Sequence, residues 1–248
     1  MTEIAYQTQA LLYLDGDYVR NNPTWHAEDS GWKSEQIAKA LTTCGVTPSN
    51  VCDIGCGAGD VIARLAAMYP AAKFVGYDIS EQAYALCKPR ETPNCRFALG
   101  GMDAADQAAG YDLAMAIDVF EHVEDPYSFL RRMRDLAELK LFHIPLDLSA
   151  LSVVINNLMW SRLNVGHLHY YSRATALALL EECGYEIIHA SYTRSFMLPF
   201  KNLATGGNMA RKLLKVVALG VPRVVLTAIS PAANERLLGG LSLLVIAR

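Results

Sequence analysis

Short apolar runs punctuate the chain, and the segments between them carry apolar positions at helical spacing. The first run begins at Val51 and enters a glycine-rich stretch; others follow at Lys73–Tyr77, Cys95–Leu99, Tyr111–Ile117 and Leu139–Ile144. Strands alternating with helices in this way predict a parallel α/β sheet. Asp29 or Ser30 stands as a cap for a helix through Leu41, and Pro48, Ser49 and Asn50 form the turn into the first strand. Gly59–Met68 reads as the helix after that strand. Pro126 opens a helix that runs past Arg131, Arg132 and Arg134 into the fifth strand, which Pro145 ends. Arg173–Cys183 has helical spacing with Gly184 as its stop, and Tyr185–Tyr192 and Gly240–Ala247 read as two further strands. No internal repeat or low-complexity stretch interrupts the pattern.

The candidate chemistry sits at the strand ends. Val51–Asp60 reads Val-Cys-Asp-Ile-Gly-Cys-Gly-Ala-Gly-Asp. Its alternating glycines, Gly55, Gly57 and Gly59, let the backbone approach a ligand closely and present the N-terminus of the following helix to it. Each run ends at or near an acid: Asp53 closes the first, Asp78 the second, Asp103 lies beyond the third and Asp118 beyond the fourth. Open α/β sheets bind ligands at this edge. An anionic edge repels the pyrophosphate of a dinucleotide, so the predicted ligand is a cation that carries a sugar.

These residues resemble the class I S-adenosylmethionine-dependent methyltransferases. The resemblance is carried by Asp-Ile-Gly-Cys-Gly-Ala-Gly (Asp53 to Gly59), Gly-Tyr-Asp-Ile-Ser (Gly76 to Ser80), Gly-Met-Asp (Gly101 to Asp103) and Asp-Val-Phe-Glu-His-Val-Glu-Asp-Pro (Asp118 to Pro126), over roughly Thr47 to Leu148. It implies a Rossmann-like seven-stranded sheet of order 3-2-1-4-5-7-6 with the last strand antiparallel and helices on both faces. It also implies that the cofactor is S-adenosyl-L-methionine and that Gly55, Cys56 and Gly57 surround its methionine part. Asp53 would then hold the ammonium, Asp78 the ribose hydroxyls and Asp103 the adenine amino group. Ile79 and Met102 would sandwich adenine, and Asp118 would stand beside the methionine part.

A sulfonium donor is already activated, so the protein mainly brings an acceptor close and excludes water. A base is needed only for an acceptor that arrives protonated, and His122, four residues beyond Asp118, is the candidate. The same segment allows a metal reading: Asp118, Glu121 and His122 lie at i, i+3 and i+4, so one carboxylate and the imidazole converge if the segment is helical, and His167 or His169 adds a nitrogen ligand. That arrangement is similar to the one in ubiquinone-pathway O-methyltransferases and, more distantly, small-RNA 3′-end methyltransferases, though Asp118 stands where those tend to carry glutamate.

The 248 residues fit one methyltransferase domain, with 1–46 as N-terminal lid and helices, 47–145 as the cofactor-binding core, and 146–172 and 193–239 as substrate-covering insertions. A net charge of −3 gives no general electrostatic reason to bind nucleic acid. Six cysteines without a CxxC pair or zinc spacing, and no secretory N-terminal signal, point to the cytoplasm. Thiol chemistry is disfavoured, since Cys52 falls inside a strand and Cys56 reads as a small filler. Tyr13–Lys33, with Tyr18, Trp25, His26 and Trp32, reads as a lid over cofactor and acceptor, in which Lys33 or His26 would meet a carboxylate. The apolar stretches after Leu146 and after Thr193 fall short of the ~20 residues needed to span a bilayer. They suit covers over a small acceptor of apolar or aromatic character, a homodimer contact or a helix lying at a membrane surface. A cofactor-binding protein without turnover and an α/β dehydrogenase are the competing classes, and the anionic loop disfavours the second.

Overall fold

A computed structural model describes residues 29–105, 110–195 and 216–248. Seven strands form one sheet of order β3-β2-β1-β4-β5-β7-β6, as the resemblance implies. They are β1 (Asn50–Ile54), β2 (Lys73–Asp78), β3 (Cys95–Leu99), β4 (Tyr111–Ile117), β5 (Ala137–Pro145), β6 (Ile187–Thr193) and β7 (Ser242–Ala247). β1 to β5 pair in parallel, and β7 lies antiparallel between β5 and β6.

The central strands read as continuous apolar runs because both faces are covered, so successive side chains enter opposite cores. Cys52, Ala114, Phe142 and Val245 face one core, which also holds Leu130 and Met133 from α4 (Pro126–Met133) and Ala176 and Leu180 from α7 (Arg173–Glu182). Val51, Leu113, Leu141 and Ile246 face the other, beside Ile37 and Leu41 of α1 (Ser30–Thr43) and Ile62 and Leu65 of α2 (Asp60–Met68). Each buried Val, Leu, Ile, Phe or Met among them contributes about 1.5–3 kcal/mol of transfer free energy. Short α3 (Glu81–Cys87) follows β2, its N-terminus capped by the Ser80 hydroxyl accepting from the Ala83 N–H.

Several boundaries differ from the sequence reading. β7 begins at Ser242 rather than Gly240, because Gly239 and Gly240 both take positive φ, which an extended strand excludes. β6 begins at Ile187, as Tyr185 turns into the core and donates its hydroxyl to the Leu130 carbonyl at 2.6 Å. Asp29 precedes α1 but makes no side-chain capping bond. The segment after β5 folds into α5 (Ala150–Val154) and α6 (Asn157–Asn164), α5 being started by a reciprocal Ser149–Ser152 capping box. α8 (Val221–Ile229) and α9 (Pro231–Leu237) precede β7. No helix among the described residues is long and apolar enough to cross a membrane.

Candidate active site

At the C-terminal ends of β1, β2 and β4 the sheet opens into a cleft of about 690 Å³, a volume suited to one nucleoside-sized ligand with room beside it. The loop after β1 forms its floor. The Gly55 and Cys56 N–H groups both donate to the Tyr77 carbonyl, the Gly57 N–H donates to the Asp78 carboxylate at 2.8 Å, and the Gly59 N–H donates to the Cys56 carbonyl. Gly59 then starts α2 in a left-handed conformation, φ +74°. Phe97 and Cys87 pack so close beneath it that a Cβ would stand 2.5 and 2.6 Å from their atoms.

Asp78 secures two segments, since its other carboxylate oxygen accepts from the Ser80 N–H at 2.9 Å. Burial pushes its carboxyl upward against these two bonds. Asp53 is 2% exposed and one of its oxygens has no partner among the described residues. Burial and then the neighbouring Asp78 charge push its carboxyl well above the ordinary carboxylate range. A buried carboxylate of this kind on a cleft wall fits a ligand ammonium, and the close-packed loop floor fits a ligand that approaches main chain. The cleft therefore suits S-adenosylmethionine.

A test follows from the sign of the Asp53 shift. Without ligand, the folded chain keeps a proton that the unfolded chain has given up, so stability falls as pH rises from the ordinary carboxylate range toward the raised folded value. A bound ammonium favours the ionised form. Cofactor uptake is therefore expected to release a proton and to tighten with rising pH across that window. Calorimetry in buffers of different ionisation enthalpy checks this; heats that do not depend on the buffer anywhere in the window would contradict it.

Ile79, 57% exposed at the rim, and Met102 both border the cleft, while Asp103 does not. The turn after β3 directs the Asp103 side chain outward, where it is 90% exposed and paired with Arg132. Three of the four strand-end acids thus reach the cleft. Nor is the edge as anionic as the sequence implies. Asp60 is paired with Arg64 and Arg90, and Asp118 with the ammonium of Lys33 at 2.7 Å and Nδ1 of His143 at 2.6 Å. Burial pushes the Asp118 carboxyl up, but Lys33 and His143 outweigh it and hold it well below the usual range. Asp118 itself has φ +55°, a conformation that aspartate tolerates better than most residues. The carboxylate that Lys33 meets is thus the chain's own. Trp32 sets its ring edge against His143 at 6.0 Å; the rest of the expected lid, up to Glu28, lies outside the described residues.

A second group, two of whose members line the same cleft, follows β4. Phe120–His122 forms a single 3₁₀ turn, and the Leu168 and His169 N–H groups donate to the Glu121 carbonyl, pinning the 167–169 loop to it. One potential ligand atom each from Glu121, His122 and His167 lie within 4.8 Å of one another. A carbonyl only accepts, so the contact of His122 Nδ1 with the Gly166 carbonyl at 3.1 Å places the proton on Nδ1 and the lone pair on Nε2. His167 Nδ1 is held by the Asp147 carboxylate in the same manner. The Glu121 carboxyl is buried with neither oxygen hydrogen-bonded among the described residues, Oε1 standing 3.9 Å from His122 Nε2, and burial, then the Asp118 charge, pushes it well upward. Asp118 and His169 do not join this group. Asp118 turns to Lys33, and His169 Nε2 is engaged by the Val123 carbonyl at 2.9 Å.

His143 and Asp147 were not singled out in the sequence. The signal for His143 is a lone imidazole inside an apolar strand beside the one that leads to Asp118; the signal for Asp147 is an acid just past the strand's terminal proline. Cysteine chemistry stays disfavoured for Cys52, whose thiol burial pushes up to about 12.

Residues 26–190 match the family model described as a methyltransferase domain. Over 104 residues the chain is 30% identical to the ubiquinone biosynthesis O-methyltransferase of Albidiferax ferrireducens, a match covering 38% of this chain and 39% of that protein's length. The magnesium protoporphyrin IX methyltransferase of Synechocystis PCC 6803, solved with S-adenosylhomocysteine bound, superposes with a TM-score of 0.56 at 19% identity, over 75% of this chain and 91% of that one. A cyclopropane synthase of Mycobacterium tuberculosis superposes with a TM-score of 0.57 at 19% identity, over 86% and 84%.

Proposed function

The chain belongs to the S-adenosylmethionine-dependent methyltransferases, and from that premise we propose that it methylates an oxygen or nitrogen of a small organic acceptor of apolar or aromatic character. The observation that supports this is one cleft lined both by the glycine loop, Asp53 and Asp78 and by His122 and His167, with Glu121 close behind the two imidazoles. When bound, S-adenosylmethionine supplies a methyl that needs no further activation. Asp53 would hold the ammonium and Asp78 the ribose, with Ile79 and Met102 beside adenine. Val119, Val123, Phe129, Pro145 and Val165 give the space beyond an apolar share of its lining, which favours an apolar acceptor and keeps water away from the transfer. Nearby α5 and α6 expose Val154, Ile155, Trp160 and Leu163, an approach surface of matching character. His122, with its lone pair on Nε2, would take the acceptor proton.

The buried Glu121 carboxyl, which has no hydrogen bond among the described residues, favours a second reading. Glu121, His122 and His167 would hold a divalent cation, the His167–Asp147 bond orienting one imidazole as metal sites require. Such a cation lowers the pKa of a bound hydroxyl and so favours an oxygen acceptor. The two readings predict different results. With a base alone, His122→Gln lowers kcat by roughly 10²-fold or more and chelation changes nothing. With a cation, chelation removes activity, Mg²⁺, Mn²⁺ or Zn²⁺ restores it, and calorimetry detects metal uptake that Glu121→Gln abolishes. Failure of the chain to bind S-adenosylmethionine or S-adenosylhomocysteine would remove both.

A further inference from the structure

Three helices of this chain are built inside out. A helix on the surface of a water-soluble domain turns its apolar stripe to the core and its polar residues to solvent. In α5, α6 and α8 the one buried member is instead hydroxyl-bearing: Ser152, Ser161 and Thr227 respectively. The apolar side chains point outward. Val221, Val224, Val225 and Ala228 of α8 stand at i, i+3, i+4 and i+7 and are all exposed, with Ile229 beside them 76% exposed. In α6, Met159, Trp160 and Leu163 form an exposed face of the same kind, and α5 runs toward it through Val153, Val154 and Ile155, all exposed. Of the nineteen large apolar side chains exposed among the described residues, thirteen lie within 148–163 and 217–237, so the apolar surface is concentrated rather than scattered. α9 packs on both α8 and α5, which makes the two groups neighbours.

The charge around them is one-sided. Residues 148–180 and 187–234 contain eight lysines and arginines and no aspartate or glutamate, in a chain of net charge −3. Glu235, the next acid along the chain, is 3% exposed and accepts from the Arg173 N–H and the Tyr192 hydroxyl. Arg236 beside it is exposed, and Arg211, Lys212 and Lys215 closely precede Val216 in sequence. An occupant that matches is apolar within and negatively charged at its boundary, as a bilayer of anionic phospholipids is. A second copy paired through this face would instead set the same basic residues against each other. With five, eight and nine residues, α5, α6 and α8 are too short to cross a bilayer and suit its interface.

We propose that α5, α6 and α8 seat the chain on the surface of a membrane that contains anionic phospholipids, with Trp160 at the level of the headgroups. Seating of this kind does not depend on the methyltransferase reading. It sets one wall of the cleft close to the lipid, since Val165, the residue after α6, belongs to the cleft lining.

The test is co-sedimentation of the full chain with vesicles of phosphatidylglycerol and phosphatidylcholine in equal parts, beside vesicles of phosphatidylcholine alone. Wild type is expected to bind the mixed vesicles at least about tenfold more tightly, since each basic side chain near an anionic surface contributes roughly fivefold. Val225→Glu combined with Ile229→Glu is expected to weaken that binding by roughly 10²-fold, and Val153→Glu combined with Val154→Glu by a similar factor. Binding should also shift tryptophan emission to shorter wavelength, and Trp160→Phe should remove most of the shift. A folded wild-type chain that binds neither vesicle overturns the proposal, as do equal affinities for the two vesicles or full binding by both glutamate pairs. An emission shift that survives Trp160→Phe removes α6 from the surface. A concentration-dependent dimer that the glutamate pairs dissolve, without vesicle binding, assigns the face to a second copy and also overturns the proposal. Should a glutamate pair fail to fold, as judged by thermal melting, Val225→Ser combined with Ile229→Ser must still weaken vesicle binding.

Discussion

Replacing Asp78 with alanine is expected to weaken S-adenosylhomocysteine binding by roughly 10²- to 10⁴-fold, the loss of two charge-assisted hydrogen bonds to ribose hydroxyls at about 1.5–3 kcal/mol each. The residue sits at the last position of β2, and its carboxylate already accepts from the Gly57 and Ser80 N–H groups. Asp78→Ala therefore removes the ligand contact and also frees the loop that shapes the floor. Asp78→Asn keeps one acceptor oxygen but places an amide where a donor now points, so it should fall between wild type and alanine. Calorimetric affinity beside a thermal melt separates binding from folding. A loss below about fivefold in a folded Asp78→Ala chain would remove this residue from the cofactor site.

A methyl at Gly59 is expected to cost about 2–5 kcal/mol of stability, the sum of left-handed backbone strain at roughly 1–2 kcal/mol and overpacking at roughly 1–3 kcal/mol. For a chain of this size, that corresponds to a fall in Tm of roughly 5–20 °C. The overpacking comes from Phe97 and the Cys87 Cβ, 2.5 and 2.6 Å from the added carbon. Neither is a flexible side-chain end that swings aside. Gly45 supplies the control: it has a similar φ of +67° with nothing within 4 Å of an added Cβ. Gly45→Ala should cost the backbone strain alone, about 1–2 kcal/mol. Equal losses at the two positions would mean that Phe97 and Cys87 do not constrain the loop. Unequal losses, with weaker cofactor binding only at Gly59, would show that packing under the floor shapes the site.

The strands and the glycine-rich floor of the cleft were legible because both are contiguous in sequence. A strand buried on two faces must be an unbroken apolar run, and a loop that approaches a ligand through main chain must be rich in glycine, so the sheet and the Asp53–Gly59 floor could be read directly. Side-chain pairings across distant segments could not. Lys33 meets Asp118, Asp118 meets His143 and His167 meets Asp147 only after the sheet has placed α1, β4, β5 and the 167–169 loop together. Spacing along one segment left open which carboxylate would join His122. The chain leaves β4 through a left-handed residue and a 3₁₀ turn rather than the helix that the spacing assumes, which turns Asp118 away and leaves Glu121 beside His122 and His167. Asp103 shows the same limit: a motif places an acid after β3 but does not say which way a turn will aim it.

The strand order also governs the sequence of assembly. β6 is joined to the sheet only through β7, although residues 194–241 separate the two along the chain. Until β7 has been made and has paired with β5, β6 lacks its one hydrogen-bonding neighbour, and the Thr193 hydroxyl that buttresses His143 has no fixed place. Chain growth in the ribosome can complete the β1–β5 sheet early, yet the support behind Asp118 and His143 is finished only when this long-range closure is achieved.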